Sequence, residues 1–150
     1  DKLNYKSLTD KDIKINRIDW LSELVKPIID GYVEATFSRQ IAKDNNIEKY
    51  TREKNYPDKS YVVSKQDVER LGLRTFFFSD ASSAIKKDVF VKLNGYDGKD
   101  LPTNEDMYFA HKLIMNGYKI RYCSESEVIH SHHLNFKQLY NLCILPMYFY

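Results

Sequence analysis

Segments with helical spacing and segments with strand spacing alternate along this chain, which limits the folds open to it. Apolar residues from Trp20 to Ile28 recur at helical intervals, and residues 32–37 then alternate as in a strand. The aromatic run at residues 74–79 is typical of another strand, and residues 87–93 predict a short helix that ends at an Asn-Gly pair. Helices interleaved with strands favour an α/β domain over a helical bundle or a β-sandwich.

Further elements follow from capping residues and alternation. Asp19 is placed to cap the first helix, and Pro27 predicts its end because proline cannot donate within a helix. Residues 44–70 are charged and weakly periodic, which indicates loops and two short helices on either side of a turn at 56–58. The remaining predictions are short strands at residues 3–8, 118–122 and 127–130 and a terminal helix that begins near Asn135.

Composition excludes several classes of protein. The 150 residues, 43% of them hydrophobic, are enough for one domain with a buried core. The 23 basic and 21 acidic residues nearly balance, so binding of nucleic acid through phosphate neutralisation is disfavoured. Cys123 and Cys143 lack CxxC spacing, and we expect two reduced thiols in a reducing compartment.

Location and completeness can also be addressed from the residues. Without a signal peptide or a run of about 18 apolar residues, the chain is expected to be cytoplasmic, neither spanning a membrane nor exported. The aromatic end at 148–150 could place the terminal helix on a membrane surface or against a second copy, although such an end commonly packs on its own protein. Because the sequence opens at Asp1 in the middle of a pattern, we expect a fragment of a longer protein.

Acidic residues mark the start of the helix predicted after Pro102. Thr103 or Asn104 can cap it, and Gly117 predicts its end. Glu105 and Asp106 then lie in the first turn, where the helix dipole favours negative charge. We expect Asp106 to be held at a rigid helix start and to stay ionised at neutral pH, although such acids often serve only as caps.

Two other groups could bind a metal. Asp10 and Asp12 form a DxD, whose carboxylates lie on one side of an extended backbone and suit Mg²⁺ or Mn²⁺. His130 and His132 occupy alternate positions of a strand and would face the same way. The DxD could instead be a solvated turn, and the histidines could be packed in the protein or exposed at the end of a strand. A zinc site is disfavoured because no cysteine stands at motif spacing.

Small polar residues follow the aromatic run at Phe76 to Phe78. They are Ser79, Asp80, Ser82 and Ser83. Polar groups at the end of a strand commonly line a pocket in α/β folds, so these side chains are candidates for substrate binding. The aromatic run itself is more typical of a core than of a ligand platform.

The order of these pieces resembles the inverting glycosyltransferase family two, which has the GT-A fold, and within it a bacterial rhamnosyltransferase-like branch. The resemblance covers nearly the whole chain and is strongest from Gly72 to His133. It is carried by the blocks LTDKD, DWLSELVKPI, FSRQIA, EKNYPDKS, GLRTFFFSDASSAIKKDVFVKLNGYD and NEDMYFAHKLIMNGYKIRYCSESEVIHSHH. Asp80 stands where relatives often carry Asn.

The resemblance implies a role for several of these residues. Asp106, beside Glu105, corresponds to the general base that accepts the proton of the acceptor hydroxyl. Asp10, Asp12 and His130 correspond to ligands of a divalent metal, Mg²⁺ or Mn²⁺. Arg39 in the FSRQIA block joins the candidates for substrate binding.

The resemblance also implies the reaction and the architecture. A sugar, rhamnose from dTDP-rhamnose, would be transferred with inversion to a cell-surface glycan on a lipid carrier. The 150 residues would form a single domain, the C-terminal portion of a GT-A-like fold with a mixed sheet flanked by helices. The N-terminal half that grips the nucleotide in this family would be absent, so the fragment alone is expected to be nearly inactive.

Three other functions stay open. A family-two transferase could use a different hexose or a galactofuranose donor, which a panel of donors would distinguish. A non-catalytic sugar-binding or metal-binding remnant would have no need for Asp12, Asp106 and His130 together. A protein-interaction module that uses the aromatic C-terminus would self-associate without affinity for a sugar nucleotide.

Overall fold

The computed structural model describes residues 13–99 and 104–131. Its strands are β1 (Ile13–Ile15), β2 (Ala35–Ile41), β3 (Tyr61–Val63), β4 (Ser83–Ile85) and β5 (Ile120–His130). Its helices are α1 (Trp20–Ile29), α2 (Ile47–Asn55), α3 (Val68–Leu71), α4 (Lys87–Lys92) and α5 (Glu105–Met115). Short 3₁₀ turns cover Lys65–Asp67, Gly72–Phe76 and Asp80–Ser82. Strands and helices are interleaved, and the predicted α/β class is confirmed.

β5 is the central strand of a mixed sheet. The strands follow in the order β1-β5-β2-β4, and β3 also pairs with β5. β2 and β5 are parallel, whereas β5 pairs in antiparallel fashion with β1 and β3, and β2 does so with β4. Because parallel strands end at the same edge of a sheet, the C-terminal residues of β2 and β5 are neighbours there.

The core lies between this sheet and α5. Four buried residues of α5, Phe109, Ala110, Leu113 and Ile114, belong to one apolar cluster with residues of β2 and β5. These residues form the apolar face of α5, and Gly117 just beyond the helix has φ +85°, as expected for its end. Burial of this face leaves the N-terminal end of α5 beside the polar residues described below.

α1 begins after Asp19 as predicted but ends later, and β2 both begins and ends later than the sequence predicts. Pro27 does not close α1, which continues to Ile29. Beyond the helix, the N–H of Tyr32 donates to the carbonyl of Pro27 and the N–H of Gly31 to that of Ile28, so these residues complete the helix end. β2 consequently starts at Ala35, three residues after the predicted start at Tyr32.

The predicted strand at residues 74–79 is wrong. The chain forms a 3₁₀ turn over Gly72–Phe76, and Phe77 is the extended residue that ends this turn. Phe77 and Phe78 both pack edge-on against Phe37, with ring centroids 5.8 and 5.4 Å apart, whereas Phe76 lies against His111. Tertiary packing of three successive rings overrides the strand propensity of the run, and the prediction that this run belongs to the core is confirmed.

The two strands predicted at 118–122 and 127–130 are one strand, β5, with an irregularity in its middle. Opposite β2, Ser38 pairs with Cys123 and the next residue, Arg39, pairs with Glu127. Residues 124–126 are therefore extra on the β5 side, in the manner of a bulge. This irregularity explains why alternation in the sequence is interrupted there.

Several predictions fall on residues outside the described ranges. They are the strand at 3–8, the DxD at Asp10 and Asp12, the Thr103 cap, His132 and His133, Cys143 and the terminal helix.

Candidate active site

Gln40 and His130 meet at the sheet edge where β2 and β5 end. Both side chains are buried, with 2% and 4% of their surface exposed. Nδ1 of His130 lies 2.8 Å from Oε1 of Gln40. Gln40 also accepts a hydrogen bond of 2.5 Å from Nη1 of Arg52 on α2, and its Nε2 donates to Oγ of Ser79 at 2.7 Å. One buried amide thus joins the ends of two strands, a helix and the segment after the aromatic run.

Asp106 lies in the first turn of α5, as predicted. Burial, and after it the negative charge of Asp80, raise the pKa of Asp106 to about 7. A hydrogen bond of 2.7 Å from the N–H of Met107 to Oδ1 opposes the shift, and Glu105 adds a further negative charge. The expectation that the helix dipole keeps this carboxyl fully ionised at neutral pH is wrong, because the loss of hydration outweighs the dipole.

Two tyrosines that the sequence did not suggest lie beside these carboxyl groups. The hydroxyl of Tyr96 donates to Oδ2 of Asp80 at 3.4 Å. Burial raises the pKa of Tyr96, and the charges of Asp80 and Asp106 raise it further, so this hydroxyl keeps its proton. Burial also raises the pKa of Tyr56, whose hydroxyl is hydrogen-bonded with Ser79 and senses the charge of Asp106. The charge of Asp106 raises the pKa of both tyrosines, and Tyr56 bonds to the same Ser79 that Gln40 contacts. Asp106 and the hydrogen bonds of Gln40 therefore belong to one site.

A short loop holds Tyr96 in place. Nζ of Lys112 on α5 donates to the carbonyl of Gly95 at 2.9 Å and to Oδ2 of Asp97 at 2.6 Å. The hydroxyl of Tyr108 donates to the same carboxylate oxygen at 2.6 Å. The hydrogen bond from Lys112, and after it the one from Tyr108, lower the pKa of Asp97 to about 2. α5 therefore positions both Asp106, on its own first turn, and the loop that carries Tyr96.

The predicted substrate-binding residues divide into two groups. Ser79, through Gln40, and Asp80, through Tyr96, belong to the site. The hydroxyl of Ser83 donates to the carbonyl of Asp80 at 3.4 Å and so lies next to it. Ser82 is instead buried, and its Oγ is 2.7 Å from Oγ of Ser38.

Ser82 belongs to a hydrogen-bond network beneath α1. Besides the contact with Ser38, its Oγ accepts from Nε1 of Trp20 at 3.1 Å. Ser38 also bonds to Ser126, which donates to the carbonyl of Trp20 at 2.9 Å. The network ties β2, the β5 irregularity and α1 together, so this environment favours a structural role for Ser82.

Arg39 lines a cavity of about 250 Å³ between the end of β2 and α2. Its guanidinium lies 3.9 Å from the carboxylate of Glu127. Lys43, Lys49 and Arg52 contribute further positive charge to the cavity wall, offset in part by Asp44 and Glu53. A cavity with an excess of cations next to Gln40 suits an anionic or strongly polar group.

Of the predicted metal ligands only His130 is described. Asp10 and Asp12 lie outside the described ranges, and within those ranges no three His, Cys, Asp or Glu side chains form a group that could hold a metal. Ile13, which directly follows Asp12 in the sequence, pairs with His130 across β1 and β5. When one ring nitrogen of a histidine binds a metal, the other usually donates to an oxygen acceptor. Oε1 of Gln40 is such an acceptor beside Nδ1 of His130, so His130 fits a ligand role.

Comparison with known proteins identifies relatives of this chain. It is 40% identical over 116 residues to the O-antigen chain rhamnosyltransferase RfbN of Salmonella typhimurium (strain LT2), an alignment that covers 76% of this chain and 37% of that protein. It is 34% identical over 120 residues to the O-antigen chain rhamnosyltransferase WbaN of Salmonella anatum, covering 79% and 38%. The chain is a homologue of rhamnosyltransferases. The predicted resemblance is confirmed.

This rhamnosyltransferase homologue spans less than two fifths of the length of either relative. No family model matches it, and no solved structure matches it. Among its described helices, none has the length and apolar character needed to cross a membrane.

Proposed function

We propose that the chain is the C-terminal part of an inverting glycosyltransferase of GT-A fold, which moves rhamnose from a nucleotide-diphosphate donor to a glycan on a lipid carrier. The homology to O-antigen chain rhamnosyltransferases supports the sugar and the class of acceptor. The observation that carries the proposal is the partly buried carboxyl of Asp106 at the start of α5, whose pKa is raised to about 7. A general base works best when its pKa lies near the working pH.

In the proposed reaction, Asp106 in its ionised form removes the proton of an acceptor hydroxyl. The hydroxyl oxygen attacks the anomeric carbon, and the bond from that carbon to the diphosphate oxygen breaks with its electron pair leaving on the diphosphate. The configuration inverts, and no covalent intermediate is formed. Tyr96, which keeps its proton, holds the carboxylate of Asp80 beside the base.

Asp10, Asp12 and His130 would hold Mg²⁺ or Mn²⁺, a role that the pairing of Ile13 with His130 supports. When bound, such a cation neutralises charge that grows on the leaving diphosphate. The basic cavity beside Arg39 supports an additional anionic part of a substrate nearby. A cytoplasmic location, with peripheral attachment to the membrane or self-association through the C-terminal helix, stays a prediction because that helix lies outside the described residues.

The test is Asp106→Asn in the full-length protein. We expect turnover to fall by roughly 10²–10⁴-fold, the usual contribution of a general base. Asn keeps the size of Asp and can still accept the hydrogen bond from the N–H of Met107, so the melting temperature should not fall. Initial rates are measured at saturating donor and acceptor, together with a thermal melt.

Glu105→Gln is the matched control, because it removes the neighbouring carboxylate on the same turn and should lower turnover much less. Near wild-type turnover for Asp106→Asn would show that Asp106 only begins the helix, and the catalytic proposal would have to be abandoned. Hydrolysis of a panel of nucleotide sugars by the wild-type protein then separates rhamnose from another hexose or galactofuranose as the donor.

A further inference from the structure

We propose that Gln40 is a positioning residue that holds the imidazole of His130 with its proton on Nδ1, and that Arg52 enforces this by fixing the orientation of the Gln40 amide. A proton on Nδ1 leaves the lone pair of the ring on Nε2, where a metal ion could bind. That use of the tautomer rests on the proposed function. The tautomer itself follows from hydrogen bonds within the described residues.

The amide oxygen of Gln40 faces the ring of His130, with 2.8 Å between Nδ1 of His130 and Oε1 of Gln40. A carbonyl oxygen only accepts hydrogen bonds, so Nδ1 has to donate. If the amide were turned by half a rotation, its NH₂ group would face Nδ1 and the opposite tautomer would follow. The tautomer therefore depends on which end of the amide faces the ring.

Arg52 decides the orientation of the amide. Its Nη1 lies 2.5 Å from the same Gln40 atom that faces His130. A guanidinium has only donors, so an NH₂ group at that position would oppose donor to donor in a buried place. Oε1 must consequently face both Arg52 and His130.

The remaining contacts of the amide agree with this orientation. Nε2 of Gln40 lies 2.7 Å from Oγ of Ser79, a hydroxyl that can accept. Nη2 of Arg52 lies 3.5 Å from Nδ1 of His130, and the opposite tautomer would need this contact as its hydrogen bond. The 2.8 Å bond to Gln40 is shorter and is the stronger of the two.

Burial makes the arrangement rigid. Gln40 and His130 expose only 2% and 4% of their surface, so water cannot easily replace a lost partner. With the proton on Nδ1, Nε2 is the ring nitrogen that can serve as a metal ligand, and the carbonyl partner raises its basicity. This chain would thereby supply His130 already in the protonation pattern that cation binding requires.

The test is the nitrogen spectrum of the His130 ring in the ¹⁵N-labelled chain, recorded at a pH where the ring is neutral. Two-bond proton–nitrogen correlations show which nitrogen carries the proton. We expect a protonated Nδ1 in the wild type. A proton on Nε2 would overturn the proposal without any variant.

Variants separate the two parts of the proposal. Arg52→Met allows the amide to turn, and a measurable share of His130 should move its proton to Nε2; no change would remove the role of Arg52. Gln40→Glu presents an oxygen that only accepts and should keep the proton on Nδ1. Ser79→Ala is the control, because it removes the contact at Nε2 of Gln40 and leaves those at Oε1. A tautomer change in the Gln40→Glu or Ser79→Ala variant would contradict the proposed mechanism.

These spectra require no donor, acceptor or metal. They can fail while Asp106 remains the base, and Asp106→Asn can keep full turnover while the His130 tautomer is as proposed. Failure of this inference is therefore distinguishable from failure of the proposed function.

Discussion

The carboxyl group of Asp106 is hard to ionise because its hydration is lost on folding and Asp80 is nearby. In an unfolded chain the same group ionises near pH 4. Between that pH and about 7 the folded state binds more protons than the unfolded state, so folding stability falls as the pH rises through this window. The residue proposed to act as base thus weakens the fold in its ionised form.

We predict that Asp106→Asn stabilises the chain at pH 8 but not at pH 4. At pH 8 the variant no longer contains a partly buried carboxylate, and the gain should be on the order of 1–4 kcal/mol. At pH 4 or below the wild-type carboxyl is protonated in the folded state and the advantage disappears. Urea titrations of both proteins at the two pH values measure the difference.

Asp80→Asn tests the second cause of the shift. Removal of this charge lowers the pKa of Asp106, so the pH-dependent loss of stability should be smaller and should end at a lower pH. Equal pH dependence in wild type and in Asp80→Asn would show that burial alone raises the pKa. No gain for Asp106→Asn at pH 8 would show that Asp106 is hydrated.

Sequence patterns located Asp106 and His130 but not their surroundings. The position of Asp106 follows from capping residues and a first-turn preference, which are local. Its raised pKa depends on burial and on Asp80, which lies 26 residues away in the chain. Gln40 and Tyr96 lacked any local signal, because their roles arise only when strands and loops are brought together.

The turn after α4 is unusually sensitive to side-chain size. Gly95 has φ +49°, and a Cβ there would lie 2.8 Å from Cζ of Phe90. We predict that Gly95→Ala lowers the free energy of unfolding by about 2–4 kcal/mol, from left-handed strain and overpacking together. Chemical denaturation measures this loss.

Gly98→Ala is the matched control, with φ +66° and nothing within 4 Å of the added Cβ. It should show the left-handed strain alone, about 1 kcal/mol. Equal losses for the two variants would mean that the ring of Phe90 moves aside without cost.

The Ser82 network yields a prediction that separates a structural role from substrate binding. Ser82→Ala removes the acceptor of Trp20 and a partner of Ser38, and stability should fall by about 1–3 kcal/mol with KM unchanged. Ser83→Ala, at a partly buried hydroxyl with a single bond of 3.4 Å, should cost about 0.5 kcal/mol or less. A raised KM with an unchanged melting temperature in Ser82→Ala would restore Ser82 to the substrate site.

Elements with a strong local pattern were predicted well. α4 and α5 match because their apolar spacing agrees with their packing, although Asn104 makes no side-chain capping bond at the start of α5. The prediction of a strand at 74–79 was wrong because these residues favour strands, yet a turn packs Phe77 and Phe78 against Phe37 and Phe76 against His111. The break in the alternation of β5 is visible in the sequence. The register of β5 against β2 depends on tertiary structure and is not.

The described residues contain the proposed base but only part of a proposed substrate site. We predict that the isolated 150 residues transfer little or no sugar, since the homologous stretch is less than two fifths of either relative. Product formation is measured with the chain alone, and the Asp106→Asn chain serves as the background. Robust transfer by the wild-type chain that is absent from the variant would contradict the fragment hypothesis.

The central place of β5 in the sheet also determines when the sheet can form on the ribosome. β5 is the last of the described strands in the chain, yet it pairs with β1, β2 and β3. At synthesis rates of about 5–20 residues per second, roughly 4–18 seconds separate the emergence of β2 from that of β5. Until β5 emerges, β1, and β3 once it has been made, lack the partner that they have in the described sheet, so the nascent chain exposes strand edges that can pair wrongly. Translational pausing before residue 130 should therefore favour aggregation, whereas release of β5 allows the sheet to close.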